Sequence, residues 1–154
     1  MTVAIVPFRP DHREAWAAMN LAWLAEGGFA VEAKDRKAVE DPEGAFLTGG
    51  GRIFMAERED GTPVGCCALI ALDDGGFEVA KMTVTPAARG QGISRRLLEA
   101  CEAEARAAGA PRLYLESSST LVAAGALYRS AGFVDLPPRP TPYARADVFM
   151  EKRL

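Results

Sequence analysis

The sequence is poor in histidine and cysteine, on which many metal and nucleophile sites depend. It has a single histidine, His12, and three cysteines, Cys66, Cys67 and Cys101. An odd number of cysteines, two of them adjacent, does not form a disulfide framework, and adjacent residues of a strand point to opposite faces. We therefore expect buried thiols, no metal site and no cysteine–histidine pair, with His12 as a surface residue in the first turn of a helix.

The sequence also has no excess of positive charge and no long apolar run. The 154 residues carry a formal net charge of −3 with a pI near 5.3, which argues against non-specific binding of nucleic acid or an anionic membrane. No apolar run approaches the roughly 20 residues that span a bilayer, and the N-terminus lacks a signal-peptide pattern. We expect a cytoplasmic location and one domain over residues 1–154.

Hydrophobic patterning predicts an antiparallel meander followed by a strand, helix, strand unit. A β-prone opening and two helical segments precede strands at 53–56, 64–72 and Phe77–Val84. A helix over 93–108, a strand at Arg112–Glu116, a helix over 121–131 and two closing strands at 133–135 and 148–150 follow. This order predicts an α/β fold of the α+β type, with a mixed, mostly antiparallel sheet and flanking helices.

One glycine-containing loop, Arg89 to Ser94, connects a strand directly to an amphipathic helix. Free N–H groups and the helix dipole attract phosphate at such a terminus, and Arg89, Arg95 and Arg96 add positive charge. The chain has neither a GxxxxGK[ST] loop nor the third glycine of a dinucleotide fingerprint. The loop predicts a phosphate site of another kind, and the alternative is a glycine-rich turn before a core helix.

Two motifs resemble those of the GNAT superfamily of acyl-CoA-dependent N-acetyltransferases. Arg89-x-x-Gly92-x-Ser94 is similar to the Q/R-x-x-G-x-G/A signature, with Ser94 where glycine or alanine is usual. Residues 126–133, with the sequence ALYRSAGF, resemble the family's A-x-x-L-Y-x-x-x-G-F block. Leu121 stands where members often carry an asparagine that contacts the pantetheine arm of the coenzyme, and nearby serines (Ser117, Ser118 and Ser119) are alternative donors.

The resemblance implies transfer of the acetyl group of acetyl-CoA to a primary amine by direct attack. It also implies a sheet splayed between the strands Phe77–Val84 and Arg112–Glu116, with the pantetheine arm in the gap. The implied coenzyme-binding residues are Met82, Thr83, Val84, Arg89, Gly90, Gln91, Gly92, Ile93, Ser94 and Arg95.

Tyr128 is the implied acid for the leaving thiolate, and the alternative is a core tyrosine. Glu78 is the implied base, with Glu116 or a water chain as rivals and a solvated strand-end glutamate as the alternative. Strand alternation places residues 78, 80, 82 and 84 on one face. Lys81 would then point to the opposite face, where we expect a structural role.

Acceptor choice in this fold is attributed to residues 16–41 and 137–145. Tyr143 and Arg145 lie in the second segment, and the forked guanidinium of Arg145 suits a carboxylate. We therefore predict a small-molecule amine or amino acid as the substrate, while a plain hairpin with a solvated arginine is the alternative. A non-catalytic acetyl-CoA-sensing module and a protein-lysine acetyltransferase remain open as functions, and the resemblance leaves room for a homodimer.

Overall fold

The computed structural model describes residues 2–154, which form a seven-stranded sheet with helices on both faces. The strand order is β1-β2-β3-β4-β5-β7-β6, and only the β4–β5 pair is parallel. The strands are β1 (Val3–Pro7), β2 (Arg52–Arg58), β3 (Pro63–Ala71), β4 (Phe77–Val84), β5 (Arg112–Ser117), β6 (Val134–Asp135) and β7 (Val148–Arg153). The predicted mixed, mostly antiparallel sheet is confirmed.

Four α-helices cover the sheet and divide its core in two. They are α1 (Arg13–Gly27), α2 (Ala33–Glu40), α3 (Ile93–Ala107) and α4 (Val122–Ser130). Residues of α3 and α4 share one apolar cluster with Cys67, and residues of α1 and α2 share the other with Cys66. The adjacent cysteines therefore point to opposite faces, and all three thiols are buried as expected.

The sheet opens between β4 and β5. Their pairing covers Phe77–Val79 against Leu113–Leu115 and then stops, although β4 continues to Val84. Beyond Val79, the edge of β4 that faces β5 has no partner strand. The splayed sheet implied by the resemblance is thus present.

A β-bulge interrupts β4 just beyond the point where the sheet opens. Cys66 pairs with Thr83 and Ala68 with Ala80, so two residues of β4 oppose Cys67 alone. Lys81, one of those two residues, has a φ of 56°, in the left-handed region that non-glycine residues seldom adopt. The predicted alternation is wrong beyond residue 80, because the extra residue inverts the phase and turns Lys81 toward the face of Glu78.

The expectation of a surface His12 is also wrong. Its side chain is 2% exposed, with Nε2 2.8 Å from Glu57 Oε2 and Nδ1 accepting a hydrogen bond from the Arg9 amide at 2.9 Å. A 3₁₀ turn at Pro10–His12 precedes α1 and folds the ring toward Phe8. The partner on β2 lies 45 residues away, so local sequence did not reveal it.

Candidate active site

Two cavities meet in the gap between β4 and α4. One, of about 350 Å³, is lined by Glu78, Glu116 and Lys81 on the side of α1 and α2. The other, of about 460 Å³, is lined by the glycine loop and the start of α3. They share five lining residues: Trp23, Met82, Ala123, Ala124 and Tyr128. The two cavities thus form one channel that passes through the open part of the sheet.

The loop before α3 presents backbone donors to the larger cavity. Gly90 and Gly92 have φ values of 77° and 76°, which favour glycine, and a Cβ at either would meet no heavy atom within 4 Å. Gly92 is the N-cap of α3, and no side chain caps this end of the helix. The first N–H groups of α3 therefore remain available to an anion.

The arginines around this loop have different hydrogen-bond partners. Arg89 donates to both Glu26 carboxylate oxygens at 2.7 and 2.9 Å, and Arg95 donates to Ser130 Oγ at 2.8 Å. Both line the cavity. Because the Arg89–Glu26 pair is about half exposed, it contributes little to stability and can rearrange around a ligand. Arg96 instead donates to the Val3 carbonyl at 2.7 Å.

Nine of the ten implied coenzyme-binding residues line the channel in the structure. Gln91 is exposed and is absent from both linings. The residues brought together are Met82, Thr83, Val84, Arg89, Gly90, Gly92, Ile93, Ser94 and Arg95.

Tyr128 stands at the junction of the two cavities. It is 9% exposed and packs against the Phe133 ring with centroids 6.0 Å apart. Burial raises the pKa of its phenol well above the usual range, with the neighbouring Cys67 and Cys101 adding to the effect. We find no hydrogen-bond partner for its hydroxyl among residues 2–154. The group is therefore protonated at neutral pH and free to donate.

Glu78 is a carboxylate of the smaller cavity that accepts no hydrogen bond from residues 2–154. Burial, and secondarily the charge of Glu116, raise its pKa to about 7, while Lys34 and Lys81 act in the opposite direction. Glu116 instead accepts hydrogen bonds from Tyr114 Oη at 2.8 Å and Thr141 Oγ1 at 2.6 Å. A carboxylate poised near neutral pH, without a protein donor among residues 2–154, is suited to accept a proton.

Arg145 lines the smaller cavity, but its fork is not free. Nη1 and Nη2 donate to the two carboxylate oxygens of Asp35 at 2.9 and 2.7 Å. The guanidinium lies 4.2 Å from the centroid of the Tyr143 ring, which also lines the cavity. Both branches of the guanidinium fork are therefore occupied by a fully buried carboxylate.

Sequence reasoning missed Asp35 and misplaced Lys81. Asp35 is the third residue of α2 and forms a capping box with the N-cap residue Glu32, and that local spacing is the only signal it offered. The bulge that turns Lys81 inward has no sequence signature. Among residues 2–154, no group of His, Cys, Asp and Glu side chains could hold a metal ion, and none of the helices is long and apolar enough to cross a membrane.

The sequence is similar to those of known acetyltransferases. Residues 49–135 match the sequence profile of the family described as acetyltransferase (GNAT) domain. An IAA acetyltransferase of Azospirillum brasilense is 46% identical over 106 residues, covering 66% of this chain and 67% of that protein. The profile match extends over more than half of the chain and places the chain among the acetyltransferases.

Solved structures extend the likeness to nearly the whole chain. A GNAT-family acetyltransferase from Staphylococcus aureus Mu50 superposes with a TM-score of 0.89 over 99% of both chains, at 21% identity. An acetyltransferase from Salmonella typhimurium, determined with its cofactor acetyl-CoA, has a TM-score of 0.75 at 21% identity, covering 99% of this chain and 94% of that one. These structures show the shared fold, and the profile match shows that the chain belongs to the GNAT family.

Proposed function

We propose that this protein transfers the acetyl group of acetyl-CoA to a primary amine by direct attack on the thioester. The observation that carries the proposal is the junction of the two cavities at Tyr128 and Met82. One cavity holds the uncommitted carboxylate Glu78, and the other holds an uncapped helix terminus suited to phosphate. The Salmonella typhimurium structure, which contains acetyl-CoA, supports the choice of coenzyme.

The channel offers distinct binding groups to the two ends of the coenzyme. The N–H groups between Gly90 and Arg95, together with the Arg89 side chain, suit the pyrophosphate. The open edge of β4 from Met82 to Val84 suits the pantetheine arm, because its backbone groups lack a partner strand on the β5 side. A donor on this edge would also polarise the thioester carbonyl, as in an oxyanion hole.

Two side chains would move the protons. Glu78, with its pKa near 7, accepts the proton of the incoming amine, directly or through water. Tyr128 donates its proton to the sulfur as the carbon–sulfur bond breaks. The amine nitrogen forms a bond to the acetyl carbon, and coenzyme A leaves as the thiol. One acid and one base in a single channel are therefore sufficient for the transfer.

The acceptor is, on this proposal, a small amine that also bears an anionic group, such as an amino acid. The cavity beside Glu78, about 350 Å³, lies at the small end of the range for small-molecule sites. Its wall carries carboxylates at Glu78 and Glu116 and cations at Lys81 and Arg145. Such a wall favours an acceptor with charges of both signs. The relative named IAA acetyltransferase is consistent with a small-molecule substrate.

An amine panel that follows thiol release from acetyl-CoA tests the proposal. Amino acids, neutral amines and lysine-containing peptides are compared at one pH, with Tyr128→Phe as the chemical control. We expect turnover of small amines that the variant largely loses. Binding of acetyl-CoA without turnover of any amine would instead identify a sensing module, and turnover of peptides alone would identify a protein-lysine acetyltransferase.

A further inference from the structure

The β-bulge of β4 brings a buried lysine into the acceptor cavity. Lys81 has a φ of 56°, a strained backbone conformation for a non-glycine residue. Its side chain is 10% exposed and lines the same cavity as Glu78. Strain that turns a charged side chain into a cavity rather than toward solvent indicates a role in that cavity.

The ammonium of Lys81 is only partly satisfied by the protein. Nζ donates to Asp35 Oδ1 at 2.5 Å and lies 5.0 Å from the centroid of the Tyr143 ring. An ammonium has three N–H donors, and Asp35 is the single acceptor that we find for it among residues 2–154. That acceptor is itself shared, because Arg145 Nη2 donates to the same oxygen at 2.7 Å.

Asp35 holds both cations in place. It is completely buried, and its other oxygen accepts from Arg145 Nη1 and the Glu32 amide at 2.9 and 3.0 Å. Although burial opposes ionisation, the hydrogen bonds from Arg145 and Lys81 keep the pKa of Asp35 well below its usual range. Glu32, 3.5 Å from Arg145, offsets that guanidinium from the outer side, and its carboxylate also accepts from the Ala144 amide. Lys81 therefore has fewer direct carboxylate contacts than Arg145.

We propose that Lys81 is the residue that selects the acceptor by binding its anionic group, with Asp35 and Arg145 as positioning residues. This inference deepens the proposed function and rests on it. The ammonium of the acceptor would lie toward Glu78 and Glu116, and its carboxylate would accept hydrogen bonds from the remaining donors of Lys81. Arg145, which the sequence predicted for this task, instead stabilises the wall of the cavity, because both branches of its guanidinium are already bonded to Asp35.

The test compares acceptors that differ only in this charge. Each standard amino acid is paired with its carboxamide, and kcat/KM is measured for the best-used pair. Since a hydrogen bond to a charged group contributes about 1.5–3 kcal/mol, Lys81→Met should lower the ratio of amino acid to carboxamide by about 10-fold to 100-fold. Lys81→Arg, which keeps the charge, should recover much of the ratio.

A matched control separates this effect from loss of surface charge. Lys37 is an exposed lysine of α2 outside both cavities, and Lys37→Met should leave the ratio unchanged. A second readout needs no chemistry: with coenzyme A present, the amino acid should raise the melting temperature of the wild-type protein more than that of Lys81→Met.

Equal losses for amino acid and carboxamide in Lys81→Met would overturn the inference, since a purely structural lysine affects both alike. In that case continued turnover by the wild-type protein would leave the proposed function intact. Absence of turnover and of any amino-acid-dependent stabilisation in the wild-type protein would instead reject the proposed function itself.

Discussion

Replacing Glu78 by glutamine should stabilise the protein at alkaline pH while removing its base. The carboxyl has an ordinary pKa of 4.5 in the unfolded chain and a pKa of about 7 in the folded protein. An acid whose pKa rises on folding destabilises the fold once it is ionised. The destabilisation is small at pH 5 and complete above the folded pKa, so stability falls as the pH rises between these values.

The expected magnitude follows from the same two values. A pKa difference of this size corresponds to about 3 kcal/mol, and to about 2 kcal/mol after a discount for the water that still reaches the half-buried carboxyl. Glutamine has the same shape and no charge to desolvate. Glu78→Gln should therefore exceed the wild-type free energy of unfolding by about 2 kcal/mol at pH 8 and by well under 1 kcal/mol at pH 5.

Urea unfolding at the two pH values measures this difference, with Glu99→Gln as the matched control. Glu99 is an exposed glutamate of α3, so its substitution should give nearly equal small effects at both pH values. In the amine assay, Glu78→Gln should lower kcat by about 10²-fold, the usual size of a general-base effect. A variant that is fully active, or no more stable at pH 8 than the wild type, would refute the assignment of Glu78 as a buried base.

Three further predictions concern the other parts of the channel. Tyr128→Phe should lower kcat by about 10²-fold with little change in acetyl-CoA affinity; an unaltered kcat would pass the acid role to water or another group. Glu116→Gln should shift the rising limb of the pH profile of kcat/KM to lower pH, because removing the Glu116 charge lowers the pKa of Glu78. The profile is first corrected for the unprotonated fraction of the amine. A limb that stays in place would mean that the two carboxylates are not coupled. Acetyl-CoA should raise the melting temperature of the wild type and of Gly109→Glu but not of Gly92→Glu, and equal shifts in all three would move the phosphate site elsewhere.

Those two glycine variants are matched in backbone geometry. Gly92 and Gly109 have φ values of 76° and 74°, and a Cβ at either would meet no heavy atom within 4 Å. They flank opposite ends of α3, so each substitution adds the same charge and a similar strain. Only the glutamate at position 92 would face the proposed pyrophosphate site.

The elements that sequence predicted well are those fixed by local patterns. The strand Phe77–Val84 was predicted with its observed limits, and the helix that begins at Ile93 follows a glycine loop as expected. Both depend on periodicity and on glycine, which act over a few residues. The resemblance supplied the gap between β4 and β5, which no local pattern encodes.

The features that sequence did not predict depend on contacts between distant segments. The pairing of Arg145 with Asp35 joins residues 110 positions apart, and the bond between His12 and Glu57 spans 45 positions. The bulge at Lys81 depends on the register against β3, which the sequence leaves open. The cytoplasmic location and the homodimer remain predictions.

Product stoichiometry is the most direct test of acetyl transfer to an amine. Thiol released from acetyl-CoA and N-acetylated amine are quantified together, by a thiol reagent and mass spectrometry, for the wild type, Gly92→Glu and Gly109→Glu. The proposed function predicts equal amounts of the two products for the wild type and Gly109→Glu, with neither product for Gly92→Glu. Thiol released without acetylated amine, or undiminished product from Gly92→Glu, would contradict it.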